Sequence, residues 1–242
     1  MLSELTATLE KFAAARDGIL GVLPTLVLDT TPTGWVPAVE LAREPYPVLA
    51  EMVQEIATRW NAPLHVAGAL FWKTYTYWHT LPMAVGWAVN RRVPVMRPAD
   101  TWVRSSEAGL TIAATRVTVA VLPGDPVAGE PGTLVNDDLG AVIRAALLDS
   151  QLPVIEALGR LTRVGRRNLW GSTAEALTHP LLELGPYGWA AELLAAVGRP
   201  VNGLIEQDGA EYRRRTCCLW VTLPEEDPCA TCCVQSGRSS SA

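Results

Sequence analysis

The chain has 242 residues, 49% of them hydrophobic, with a formal net charge of −5 and a pI near 5.3. That length and apolar content suit one large domain, or a domain with a small appendage, around a buried core. The acidic balance argues against a nucleic-acid binder, which needs a basic face to neutralise phosphates.

At the N-terminus, "MLSELTATLEKFAAARDGILGVLP" carries Glu4 and Glu10 where a secretory signal carries positive charge, and Lys11, Arg16 and Asp17 interrupt its apolar residues, so no export signal is expected. From Tyr46 to Trp60, Leu49, Met52, Val53, Ile56 and Trp60 recur at helical spacing and predict an amphipathic helix. A second helix, about residues 64–80, should pack on it. The apolar run to which it belongs is broken by Lys73, His79 and Pro82, too early for a membrane span, so no transmembrane segment is expected. Its aromatic stretch, Phe71 to His79, could line a pocket, but helical spacing favours core packing.

After "NRRVP" the texture changes. "TWVRS", "LTIAA" and "RVTVAVLP" are short, β-branched and separated by turn formers, which predicts a small antiparallel sheet ended by the Pro/Gly loop 123–132. Asn136 to Asp138 can cap a helix with the stripe Leu139, Val142, Ile143, Ala146 and Leu147. Further helices are expected over 152–164, 172–184 and 188–197. "GRPVNG" marks a boundary, "LIEQDGAEYRRR" reads as a hairpin, and "SGRSSSA" has the composition of a disordered tail.

All five cysteines fall between Cys217 and Cys233. In a soluble cytoplasmic protein such a cluster points to a metal or redox site rather than a disulfide framework, and an odd count is not satisfied by pairing. Cys229 and Cys232 form a C-x-x-C turn that brings two thiolates to one centre, and Cys217 and Cys218 lie ten residues before it. Adjacent residues of a strand point to opposite faces, so that pair can share a centre only where the backbone bends. A two-iron cluster is wider than a single ion and tolerates such ligands better. Zinc and free or disulfide-linked cysteines are the alternatives.

The pattern Cys217-Cys218-x10-Cys229-x-x-Cys232, with "RRRTCC" and "LWVTLP" before the C-x-x-C and "RRNLWGSTAEAL" upstream, resembles the [2Fe–2S] motif of the FhuF-like ferric-siderophore reductases. The resemblance implies a [2Fe–2S] cluster held by Cys217, Cys218, Cys229 and Cys232, with Cys233 as a spare thiol and no catalytic residue beyond the cluster. It implies an α+β protein: a siderophore-handling domain over 1–199, mainly helical with the small antiparallel sheet, an iron–sulfur module over 200–236, and the tail 237–242. The implied activity is that of an oxidoreductase, transferring one electron to siderophore-bound Fe(III) and releasing Fe(II). The implied location is cytoplasmic, with the inner face of the membrane as a peripheral station. The partners are a ferric siderophore, with the hydroxamate type favoured, and an external donor such as a ferredoxin or a flavin or NAD(P)H reductase, since no nucleotide-binding glycine motif is present. A zinc-stabilised siderophore-binding module and a generic [2Fe–2S] electron carrier are the competing functions.

The remaining candidates are charges. Arg213, Arg214 and Arg215 either tune the cluster potential or cover surface, and Glu225, Glu226 and Asp227 would act in the opposite sense. His65, His79 and His179 are scattered and read as packed or surface residues. Arg163, Arg166 and Arg167, near Trp170, either meet an acidic siderophore or simply complement a helix end.

Overall fold

A computed structural model of the chain describes Ala7 and residues 33–234, apart from 107–108, 187, 209–210, 225 and 230. The expectations for the N-terminal stretch before residue 33, other than Ala7, for Glu225 and for the tail 237–242 lie outside the described residues.

Among the described residues from 33 on, the helices in chain order are α1 (Pro47–Arg59), α2 (Leu64–Asn90), α3 (Leu139–Ser150), α4 (Leu152–Thr162), α5 (Arg166–Leu184) and α6 (Gly188–Val197). The strands are β1 (Val36–Pro37), β2 (Arg92–Val95), β3 (Thr101–Ser106), β4 (Gly109–Ala114), β5 (Thr118–Val121), β6 (Thr133–Val135), β7 (Ile205–Asp208) and β8 (Glu211–Arg214). The protein is therefore α+β and mainly helical, as expected.

Helix α2 is the axis of the fold. Its 27 residues span roughly 40 Å, and nearly every side chain from Val66 to Trp87 is buried, which is the signature of a helix surrounded by partners. It packs chiefly on α5 and also on α1, β2 and β4. The expected end near residue 80 is corrected: α2 continues ten residues further, through Pro82. A proline inside a helix costs about 3 kcal/mol, but Met83, Ala84, Val85 and Trp87 are all buried beyond it, and their transfer from water outweighs that cost. The helix stops at Arg91, whose left-handed backbone (φ 55°) returns its N–H to the Gly86 carbonyl. Helix α1 starts with Pro47 and buries Leu49, Met52, Val53 and Ala57. Asp138 caps α3 as expected, accepting the Ala141 N–H.

The single antiparallel sheet expected from three strands is also corrected. Strands β1, β3 and β4 form one antiparallel sheet, whereas β5 pairs antiparallel with β2 and parallel with β6 in a second. Strand β2, which contains Pro94, was not expected, since the strand pattern begins only after "NRRVP". At the edge of its sheet Pro94 sits opposite Val119, and an edge strand can spare the missing N–H. Strands β7 and β8 form the expected hairpin, with Glu206 opposite Arg213.

Candidate metal centre

The cysteine segment follows β8 directly and is held against α5 by a buried ion pair. Arg214, 2% exposed, donates one N–H to Glu175 Oε2 at 2.6 Å and another to Ser172 Oγ at 2.8 Å. The other Glu175 oxygen accepts the Thr231 hydroxyl at 2.5 Å, and the Arg214 backbone N–H bonds the Thr231 carbonyl at 2.9 Å. One carboxylate thus ties together the residues that flank both cysteine pairs. Burial alone would raise the Glu175 carboxyl, but Arg214, Lys73 and the Thr231 hydroxyl outweigh it and hold it below its ordinary value. Gly171, one turn before Glu175, has no side chain where Thr216 comes down on the helix; a Cβ there would collide with the Thr216 hydroxyl.

The bend that adjacent cysteines require is present. Leu219, immediately after the pair, has a left-handed backbone (φ 66°, ψ −1°) and opens a 3₁₀ turn at Trp220–Thr222. A leucine in that region costs roughly 1–2 kcal/mol, and such strain persists where the surroundings impose it. Leu223 then packs with Val66 and Leu70 of α2 in a small core of its own.

The fold brings one pair of the predicted ligands close together. Cys218 and Cys229 place their sulfurs 4.0 Å apart, close to the roughly 3.8 Å between two thiolates on one tetrahedral ion at a metal–sulfur distance near 2.3 Å. Burial raises the Cys233 thiol, and Cys217 and Cys232 lie close enough to raise it further. Backbone N–H groups point at two of the sulfurs, Leu219 at Cys217 (3.3 Å) and Val234 at Cys232 (3.4 Å), the contact that stabilises thiolates. The hydrogen bond with Cys229 lowers the Cys218 thiol to about 5, against the opposing effect of burial, with help from Lys73 and Arg214, and pushes Cys229 up in exchange. Among the described residues no group of three donors closes on a single ion. Four thiols in one segment, one pair of them close and the other two accepting backbone N–H groups, have the donor chemistry that a two-iron cluster needs.

A cleft of about 570 Å³ opens beside these thiols, and Cys229 and Thr231 form part of its wall. Its other lining includes Phe71, Tyr77 and Trp78 of α2, Trp60 just past the end of α1, and Trp220, the last two packed edge to face at 5.1 Å. The aromatic stretch therefore serves both purposes weighed for it: Trp72 and Tyr75 are core, while Phe71, Tyr77 and Trp78 also face the cleft.

The charged candidates sort differently from their sequence order. Of the three arginines only Arg214 is buried; Arg215 is exposed and reaches Glu206 at 3.6 Å. Arg163, Arg166 and Arg167 are all exposed, and Arg166 and Arg167 begin α5, where the helix dipole disfavours cations. His65 is exposed, His79 is buried in the core, and His179 lines the cleft. Sequence reading missed Lys73 and Glu175. Each is a lone charge on the apolar face of a helix, which was the available signal.

No family profile and no curated protein matches this chain. Among solved structures it is similar to aerobactin synthetase IucA from Klebsiella pneumoniae, with a TM-score of 0.51 at 16% identity, covering 67% of this chain and 31% of that one. The likeness is one of fold. The ATP-bound form of that synthetase gives a TM-score of 0.47 at 15% identity over the same shares. The chain thus spans under a third of that neighbour, and the resemblance to FhuF-like reductases rests on the cysteine motif itself.

Proposed function

We propose that the protein is a cytoplasmic ferric-siderophore reductase, with residues 1–199 handling the chelate and 200–236 forming an iron–sulfur module on Cys217, Cys218, Cys229 and Cys232. The observation that carries this reading is the position of the thiols at the wall of an aromatic cleft, with Cys229 part of that wall. A [2Fe–2S] cluster bound there would supply electrons singly. The fold likeness to a synthetase whose name contains a siderophore supports the substrate class. It lends nothing to a ligase activity, because this chain lacks a glycine-rich phosphate loop.

The chain's own residues have definable tasks. Lys73 and Arg214 set positive charge beside the thiolates and favour a more negative state. The rings of Phe71, Tyr77 and Trp78 exclude water from the chelate and strengthen those charges. Cys232, buried and accepting the Val234 N–H, suits a ligand better than Cys233. Hard oxygen donors hold Fe(III) far better than Fe(II), so one electron loosens the metal and releases it. The electron comes from a separate donor.

Two measurements test this. Iron and acid-labile sulfide are determined in single Cys→Ser variants; all four proposed ligands should be required and Cys233 dispensable. Chemically reduced protein is then mixed anaerobically with ferric siderophores and a ferrous chelator, and reoxidation should saturate with siderophore concentration. A colourless zinc protein, or reoxidation no faster than in buffer, overturns the reading.

A further inference from the structure

Among the described residues, the wall of the cleft carries two cations, Arg59 and Lys73, that no carboxylate there pairs with. Arg59 and Lys73 both line it, and Glu175 is the only carboxylate among the described residues that do. Both oxygens of Glu175 are already taken, one by Arg214 and one by Thr231. Glu55, one turn before Arg59, does not line the cleft and accepts the Ser105 hydroxyl. Lys73 is half-buried and forms no ion pair among the described residues, although it lies near the Cys218 and Cys229 thiols and Glu175. Among the described residues, the partner of Arg59 is a backbone carbonyl, Ser106 O at 3.0 Å. Its remaining guanidinium N–H groups are suited to bidentate recognition of anionic oxygens.

We propose that this cleft selects a net-negative ferric chelate, with catecholate or carboxylate donors, over the neutral hydroxamate type that the sequence favoured. The inference rests on the reading of the cleft as a ferric-chelate site. Its volume lies within the range of small-molecule sites, so one chelate fills it. Arg59 and Lys73 meet the charged oxygens, and Trp60 and Trp78 cover the ligand's planar faces. A neutral chelate would cover the Arg59 guanidinium without meeting its charge, which is how a charged wall discriminates.

Redox-inert gallium(III) complexes separate binding from electron transfer. A triply negative tris-catecholate, a citrate-type carboxylate and a neutral trihydroxamate are titrated against the full-length protein, following tryptophan fluorescence. The anionic complexes should bind at least about tenfold more tightly than the neutral one, with the preference shrinking as salt rises. Arg59→Gln and Lys73→Gln should each reduce the preference severalfold, with circular dichroism unchanged. Tight binding by only one anionic class sustains the inference and names the source. Equal or tighter binding of the neutral complex, or a preference untouched by both substitutions, overturns it. If the preference holds while ferric complexes fail to reoxidise the reduced protein, the selectivity stands and the reductase reading falls.

Discussion

His79 and Glu175 show how differently two buried titratable side chains can be accommodated. His79 sits in the middle of α2, stacked on Tyr75 and within 3.3 Å of Gln151 Nε2, in a network that continues through Thr173 and Thr76. Burial depresses its pKa from 6.5 to about 4, so the folded protein keeps the imidazole neutral. The unfolded chain takes up this proton near pH 6.5 and the folded chain only near 4; the stability is present above 6.5 and is lost as pH falls toward 4. That loss is on the order of 3 kcal/mol. Denaturant titrations at pH 7 and pH 5 should show about 2 kcal/mol of it, and His79→Gln should flatten the difference; an equal slope in the variant contradicts the assignment. Glu175 is charged and paired instead. Glu175→Gln leaves the Arg214 guanidinium buried without its counter-ion and should cost about 3 kcal/mol, with faster reaction of the cysteines with a thiol reagent. Unchanged stability and thiol reactivity would show that the ion pair does not clamp the segment.

At the scale of elements, the join between α5 and the cysteine segment depends on the absence of one side chain. Gly171 faces Thr216, the residue before Cys217, and a methyl group there must displace it. Gly171→Ala should therefore destabilise by about 1–3 kcal/mol despite its better helix propensity, and should loosen the thiols. Pairing it with Thr216→Gly should recover most of the loss. If Gly171→Ala instead stabilises the protein, the helix and the segment do not pack as described. The same logic explains the length of α2. Local chemistry at Pro82 says stop, and the buried residues on its far side decide otherwise.

Across the whole molecule, the body and the cysteine segment have separate cores. The buried residues of the large cluster run through α1 to α6 to Leu204 and Tyr212, whereas Leu223 joins Val66 and Leu70 in a small one, with Leu219 packed against both. A bound metal cluster stabilises only the state that holds it, so its removal should weaken the small core first. Limited proteolysis of iron-free protein should cut within 215–234 while residues 47–197 persist as one resistant fragment. Simultaneous cutting throughout the helical body would mean that the two cores unfold together.

The helices α1, α3, α4 and α6, the β7–β8 hairpin and the crowding of five thiols were legible in the sequence by itself, because each is specified locally, by apolar period, capping residues, turn chemistry or spacing. Tertiary structure alone decided the rest. It split the strands into two sheets, since the partner of β5 is β2 and lies on the far side of β3 and β4 in sequence. It carried α2 through its proline. It singled out Arg214 from three adjacent arginines, because only one of them meets a buried carboxylate on α5. It also turned Lys73, which in sequence merely interrupts an apolar run, into a cation beside the thiols and the cleft. A charge takes its role from what is within a few ångströms in space, and helix periodicity reports only which face it is on.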